Sequence, residues 1–275
     1  MSKKLVMTAG ALITTYALLE PHWQKYKEYT VNNIQIPSEF DGFKIAFLAD
    51  IHYGGAIGEK NLSKIVDSVN NWEPDLILLG GDYISRRKHI YPCFNQLSKL
   101  RAVKGVYGVL GNHDVTEGLT DTINAMEKAN IRSINNDGLW ITKNKQKIKL
   151  GGVGDFWTQH QDLDKTLFDT KPEDYIILVT HNPQFVYKLN DKDDINLILS
   201  GHTHGGQFPL LKYLGKYVPA DIDEKFALSY LSGKRKRHNR DIIVSNGVGT
   251  AKFPFRIMTR PEIIYITLHK HNSNN

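Results

Sequence analysis

Residues 45–52 read IAFLADIH: five apolar residues, then Asp50 and His52 two positions apart. A short β-rich apolar run closed by polar residues is the pattern of a buried strand. Four further runs end in the same chemistry. Residues 76–79 lead into Gly80-Gly81-Asp82, and residues 106–110 into Gly111-Asn112-His113-Asp114. Residues 176–179 lead into Thr180-His181-Asn182, and residues 195–199 into Gly201-His202-Thr203-His204. In open α/β sheets the carboxyl ends of strands converge on one crevice. Five of the eleven histidines fall at these five ends, too many for scattered loop residues, so the pattern predicts a single site.

Apolar runs at 148–153, 242–244 and 263–268 add further strands. Helical spacing fills several gaps. Leu62, Ile65, Val66, Val69 and Trp72 predict a helix over 59–72. Leu97 and Leu100 suggest one near 92–101, and Leu119, Ile123 and Met126 one over 119–129. Alternating strands and helices predict an α/β layered core. Residues 20–42 read as a linker plus an edge strand at 29–36. The densest positive run, KRKR at 234–237 with Arg240, reads first as a solvated loop and only second as an anion site.

Composition bounds the rest. With 41% hydrophobic and 23% charged residues over 275 positions, the chain is neither disordered, collagen-like nor a multi-span membrane protein. The single cysteine, Cys93, excludes an intramolecular disulfide, a thiolate zinc finger and an iron–sulfur cluster. A net charge of +6 favours phosphates, nucleic acid or an anionic membrane surface, although solubility alone would also explain it.

Lys3 and Lys4 precede an uncharged stretch at 5–19. As a helix, fifteen residues span roughly 22 Å, short of the ~30 Å hydrocarbon core. Three readings compete: a short membrane anchor with Trp23, Tyr26 and Tyr29 at the headgroups, a signal peptide, or an ordinary helix packed on the domain. The anchor is the favoured expectation. It predicts a membrane-associated protein, with residues 1–28 as anchor or signal-like segment and linker, and 29–271 as the catalytic domain.

A His, Asp and Asn set without thiolate suits Mn, Fe, Co or Zn. The i, i+2 pairs Asp50/His52 and His202/His204 can turn two donors into one site, and a central aspartate can bridge two ions. Two metals ~3.5–4 Å apart form the standard clamp for displacement at phosphorus. The expected cofactor is therefore a pair of divalent ions, with Mn first among the candidates.

The ordered blocks D-x-H (Asp50, His52), GD (Asp82), GNHD (Asn112, His113, Asp114), H (His181) and GHxH (His202, His204) resemble the signature of the calcineurin-like metallophosphoesterase superfamily. Gly205-Gly206-Gln207, residues 245–249 (SNGVG) and Arg260-Pro261-Glu262 look like the subgroup of small, often membrane-associated bacterial phosphodiesterases. The resemblance covers roughly residues 30–270. It implies an α/β fold of two packed mixed β-sheets flanked by helices, a four-layer sandwich with the metals at the strand ends. It implies that Asp50, His52 and His204 hold one metal, that Asn112, His181 and His202 hold the second, and that Asp82 bridges them. It implies attack on phosphorus by a metal-bridging hydroxide. His113 would stabilise the phosphoryl oxygen or protonate the leaving group, and Asp114 would orient His113. The purple acid phosphatase branch has a metal-binding Tyr where this chain has Ser85; Tyr83 is expected to point elsewhere.

The resemblance leans to phosphodiesters and pyrophosphates, including a lipid-linked substrate such as UDP-2,3-diacylglucosamine of lipid A synthesis. A membrane surface is then an expected partner, and no obligatory protein partner is implied. Candidate substrate contacts are Gln207, Phe208, Asp155, Phe156, Trp157, Phe253 and Phe255, each of which reads as packing first. Two alternatives stand beside the enzyme. A catalytically silent metal-binding scaffold predicts damage to the ligand set, and none is visible. A nucleic-acid or nucleotide-binding protein has only the positive charge in its favour.

Overall fold

The apolar runs are continuous rather than alternating because their strands are covered on both faces. The computed structural model describes residues 3–190, 192–207 and 230–271. Two six-stranded sheets lie within these residues. The first runs in the order β1 (Lys25–Asn33), β12 (Glu262–Lys270), β2 (Phe43–Leu48), β3 (Leu76–Leu79), β4 (Val106–Gly108), β5 (Ile131–Ser133). The second runs β10 (Gly233–Arg237), β11 (Arg240–Val244), β9 (Leu197–Ser200), β8 (Ile176–Val179), β7 (Gln146–Gly152), β6 (Asp137–Lys143). Both are mixed: β2, β3, β4 and β5 pair in parallel, as do β7, β8, β9 and β11, while β12 runs antiparallel to β2 and β6 to β7.

Alternation along β3 shows how the layers close. Leu76 and Leu78 join Ile45, Phe47, Ile264 and Ile266 in the core between the sheets, against Ile148, Ile177, Leu199 and Ile243. Ile77 and Leu79 face the other way, onto Leu62, Val66 and Val69 of α2 (Glu59–Asn71), Phe94 and Leu97 of α3 (Ile90–Leu97) and Met126 of α4 (Asn112–Lys128). Beyond the second sheet, Ile176, Leu178 and Ile198 pack on Phe185 and Val186 of the 3₁₀ turn Pro183–Lys188. This is the expected four-layer arrangement. Burying a Leu or Ile contributes ~1.5–3 kcal/mol, so the central strands anchor the loops at their ends.

Several expectations change. No helix among the described residues is long and apolar enough to cross a membrane. The N-terminal helix α1 (Lys3–Leu19) has only 17 residues. The membrane anchor, and the membrane-associated localisation drawn from it, are overturned. The C-terminal end of α1 instead meets the domain. Ala17 is buried and its carbonyl accepts the Arg256 amide at 3.0 Å. Glu20 and Pro21, in the following 3₁₀ turn, are also buried. The division at 28/29 falls inside β1, which starts at Lys25 rather than 29 and pairs with β12 from Glu262 onward. The KRKR run is not a loop. It forms edge strand β10, paired antiparallel with β11, with Lys234 bonded to the Thr30 carbonyl at 2.9 Å and Arg237 over the Tyr187 ring. Charge on an edge strand blocks edge-to-edge association. Helix α4 starts at Asn112 rather than 119, which places Asn112, His113 and Asp114 in its first turn.

Candidate metal centre

Strands β2, β3, β4, β8 and β9 all end at one edge of the sandwich, and their following residues converge there. Asp50, His52, Asp82, His202 and His204 have φ of 53°, 44°, 54°, 68° and 51°. Non-glycine residues rarely adopt this left-handed conformation, which costs of order 1–3 kcal/mol each, and such strain gathers at functional sites. Two glycines leave room for the carboxylates. A Cβ on Gly111 would lie 2.2 Å from Asp82 Oδ1, and one on Gly201 would lie 2.3 Å from Asp50 Oδ2.

The donor atoms form two groups around Asp82. In the first, Asp50, His52 and His204 bring one donor each within 4.8 Å of one another. His52 Nε2 is 3.1 Å from His204 Nε2, which is 3.6 Å from Asp50 Oδ1. In the second, Asp82, His181 and His202 do the same. His181 Nε2 is 3.1 Å from His202 Nδ1 and 3.3 Å from Asn112 Oδ1. Asp82 Oδ2 lies 3.4 Å from both His52 Nε2 and His181 Nε2. Donors holding one ion at ~2.1 Å stand roughly 3.0–3.4 Å apart, so these spacings fit metal binding. Asp50, His52, Asp82, His181 and His204 are buried, whereas Asn112, His113 and His202 are half-buried and form the mouth.

Protonation fits as well. Burial lowers His52 to about 4 and His202 to about 3, and carries His204 well below its ordinary value. These imidazoles are therefore neutral at pH 7, the state that ligates. Burial also raises Asp50 to about 7. Burial alone would raise Asp82 and lower His181, but their mutual attraction wins, leaving Asp82 well below and His181 well above the usual values. His181 Nδ1 donates to the Gly80 carbonyl at 2.7 Å, which turns Nε2 towards Asp82. A cation bound at that nitrogen would have to displace the proton that Asp82 favours on His181.

His113 is held by its amide on Asp82 Oδ1 at 2.9 Å, with its ring edge-on to His52 at 4.9 Å. Its ring nitrogen also falls within 4.8 Å of donors on His52 and Asp82. Asp114 does not orient that ring. Its Oδ2 accepts the amides of Asp82 (2.7 Å) and Gly111 (2.9 Å), and its Oδ1 accepts the Tyr83 amide (2.9 Å). Tyr83 points into the core and donates to the Val109 carbonyl at 2.7 Å, and Ser85 Oγ donates to the His52 carbonyl.

The candidate substrate contacts separate. Gln207 is buried and tied to the backbone of Ala251, Phe253 and Phe255. Asp155 folds back on Trp157 and Thr158, and Phe156 lies under Lys188. Trp157 and Phe253 stay 39% and 49% exposed, and the Trp157 ring stands edge-on to His202 at 4.2 Å. Phe208 lies outside the described residues. Arg256 escaped the sequence reading. It is fully buried behind His204, and its signal was an arginine inside the run FPFRIM at 253–258.

The profile of the calcineurin-like phosphoesterase family matches residues 43–206, which hold Asp50, His52, Asp82, Asn112, His113, Asp114, His181, His202 and His204 but not Arg256. The chain belongs to this family. It is 30% identical over 271 residues to the uncharacterized metallophosphoesterase YkuE of Bacillus subtilis, covering 97% of this chain and 93% of that one. It is 29% identical over 236 residues to an uncharacterized metallophosphoesterase of Helicobacter pylori, covering 83% of this chain and 60% of that one. A bovine transmembrane protein with metallophosphoesterase domain is 31% identical over 251 residues, and there the chain spans 54% of the relative's length.

Proposed function

We propose that this chain is a two-metal phosphoesterase that hydrolyses phosphodiester or pyrophosphate bonds. The observation that carries this reading is the position of Asp82 Oδ2, equidistant from His52 and His181 with a full donor group on either side. Asp50, His52 and His204 would hold one divalent ion, Asn112, His181 and His202 the other, with Asp82 shared. Manganese is the first candidate. Bound divalent ions supply Lewis acidity and bring the pKa of a water ligand to ~7.

The chain's own residues do the rest. His113 faces the mouth on a fixed backbone. It binds a phosphoryl oxygen or gives its proton to the leaving oxygen. Asp114 holds the loop of Asp82 against the first turn of α4. The exposed faces of Trp157 and Phe253 offer apolar surface to the substrate's organic groups. Within this class, the pyrophosphate of UDP-2,3-diacylglucosamine is the specific bond to assay beside nucleotides and cyclic dinucleotides. The test is turnover of bis-p-nitrophenyl phosphate by full-length protein before and after chelation. Loss on stripping and recovery with Mn support the reading; unchanged turnover refutes it.

A further inference from the structure

The first donor group is fastened from behind. Arg256 carries five N–H donors in a rigid fork. Its Nε donates to the Gly249 carbonyl at 3.1 Å, and Nη1 to the carbonyls of His204 at 3.3 Å and Thr259 at 2.8 Å. Nη2 donates to the carbonyls of Asn246 (2.7 Å) and Gly249, and lies 3.3 Å from His204 Nδ1. The same loop reaches Asp50: Val248 and Gly249 donate to the carbonyls of Ala49 and Asp50. Arg256 thus joins the backbones of His204 and Asp50, two of the three residues of that group. The hydrogen bonds of its fork go to Gly249, His204, Thr259, Asn246 and Gly247, and none goes to His181, His202 or Asn112.

Arg256 is itself held by the N-terminal segment. Its amide donates to the Ala17 carbonyl, and two residues on the Met258 amide donates to Glu20 Oε2 at 2.8 Å. Met258 has φ +58°, a strained turn that needs an external tie. Arg260 Nε donates to the Trp23 carbonyl at 3.0 Å and Lys25 N to the Pro261 carbonyl at 2.7 Å, closing the clasp. Glu20 is buried; burial lowers Arg256 to about 10, and the nearby Asp50, Glu262 and Glu20 offset part of that cost.

We propose that Glu20 and Arg256 are positioning residues for the donor group of Asp50, His52 and His204. The turn after α1 fixes the 256–260 segment, and Arg256 fixes the loops that present Asp50 and His204. This rests on the two-metal reading above. The N-terminal segment then belongs to the machinery of the metal centre.

The test is calorimetric titration of Mn into chelator-stripped full-length protein, for the wild type, Glu20→Ala, Glu20→Gln and Arg256→Lys. Outer partners of metal ligands typically change affinity by ~10–100-fold. Glu20→Ala and Arg256→Lys should weaken one of two Mn sites by that factor and leave the other unchanged. Glu20→Gln keeps an acceptor for the Met258 amide and should stay within about threefold of the wild type, a small part of that range. Turnover of the chromogenic diester by Glu20→Ala should recover in excess Mn with KM unchanged. Arg87→Ala, which breaks the exposed pair with Asp121, should alter neither site. If Arg256→Lys fails to fold, the two Glu20 variants decide. Glu20→Ala with a lower melting temperature but both Mn affinities intact would reduce Glu20 to a structural brace and overturn the proposal. A wild type binding fewer than two ions overturns both this and the proposed function. Two-site binding without turnover of any phosphoester overturns only the function, and the variant affinities still decide the positioning role.

Discussion

The Asp114 carboxylate, in the first turn of α4, accepts the Asp82 amide at 2.7 Å. The bond ties the loop after β3 to helix α4 across 32 positions and holds the left-handed backbone from which Asp82 reaches both donor groups. In Asp114→Asn an amide NH₂ would face backbone N–H groups. Leaving buried donors unpaired costs about 1–3 kcal/mol. The melting temperature should therefore fall by several degrees and Mn binding should weaken. If Asp114 instead acted on His113, the variant would lose turnover and keep its melting temperature.

His113→Ala should retain both Mn sites and lose turnover by ~10²–10⁴, the usual contribution of a positioned acid or base. Its ring sits at the mouth and only its backbone binds Asp82. Metal content by mass spectrometry beside kcat on a chromogenic diester checks this. A one-ion variant would make His113 a ligand.

Metal affinity should rise with pH. Burial brings Asp50 to about 7, and Asp82 holds His181 well above its ordinary range, so both groups carry protons at pH 6 that metal binding must release. Competition from the Asp50 proton fades above pH 7, whereas that from His181 persists to higher pH. Mn titrations at pH 6, 7 and 8, in buffers of different ionisation enthalpy, should give tighter binding and fewer released protons as pH rises. Equal affinity at pH 6 and 8 would contradict this.

Trp157→Ala should raise KM about 3–10-fold for substrates with a large leaving group, consistent with the ~0.5–1.5 kcal/mol of an aromatic contact. Trp157→Phe should restore it, with kcat and metal content steady throughout. A change in metal content with constant KM would assign Trp157 to the support of His202 alone.

Four of the five donor-bearing strand ends were legible in the sequence because β2, β3, β8 and β9 are buried almost throughout and read as unbroken apolar runs; β4, half-buried at Tyr107, was marked mainly by the Gly111-Asn112-His113-Asp114 that follows it. Strand β6 was not, because most of its residues are only half-buried and no alternation survives. The KRKR run hid strand β10, whose register is set by β11 and not by its own residues. The uncharged stretch at 5–19 was visible, but its destination depends on Ala17 and Glu20 meeting the 256–260 segment more than 230 positions away. Asp114 was legible as a motif residue but its role was not, and Arg256 was missed, because both act by bonding backbone groups of distant loops.

The most direct measurement is turnover of bis-p-nitrophenyl phosphate as Mn is added stepwise to chelator-stripped, metal-analysed full-length protein. With Asp82 shared between two donor groups, turnover should be negligible without metal and reach its plateau at two equivalents per chain. Full turnover in the ion-free protein, or a plateau at one equivalent, would contradict a two-metal phosphoesterase.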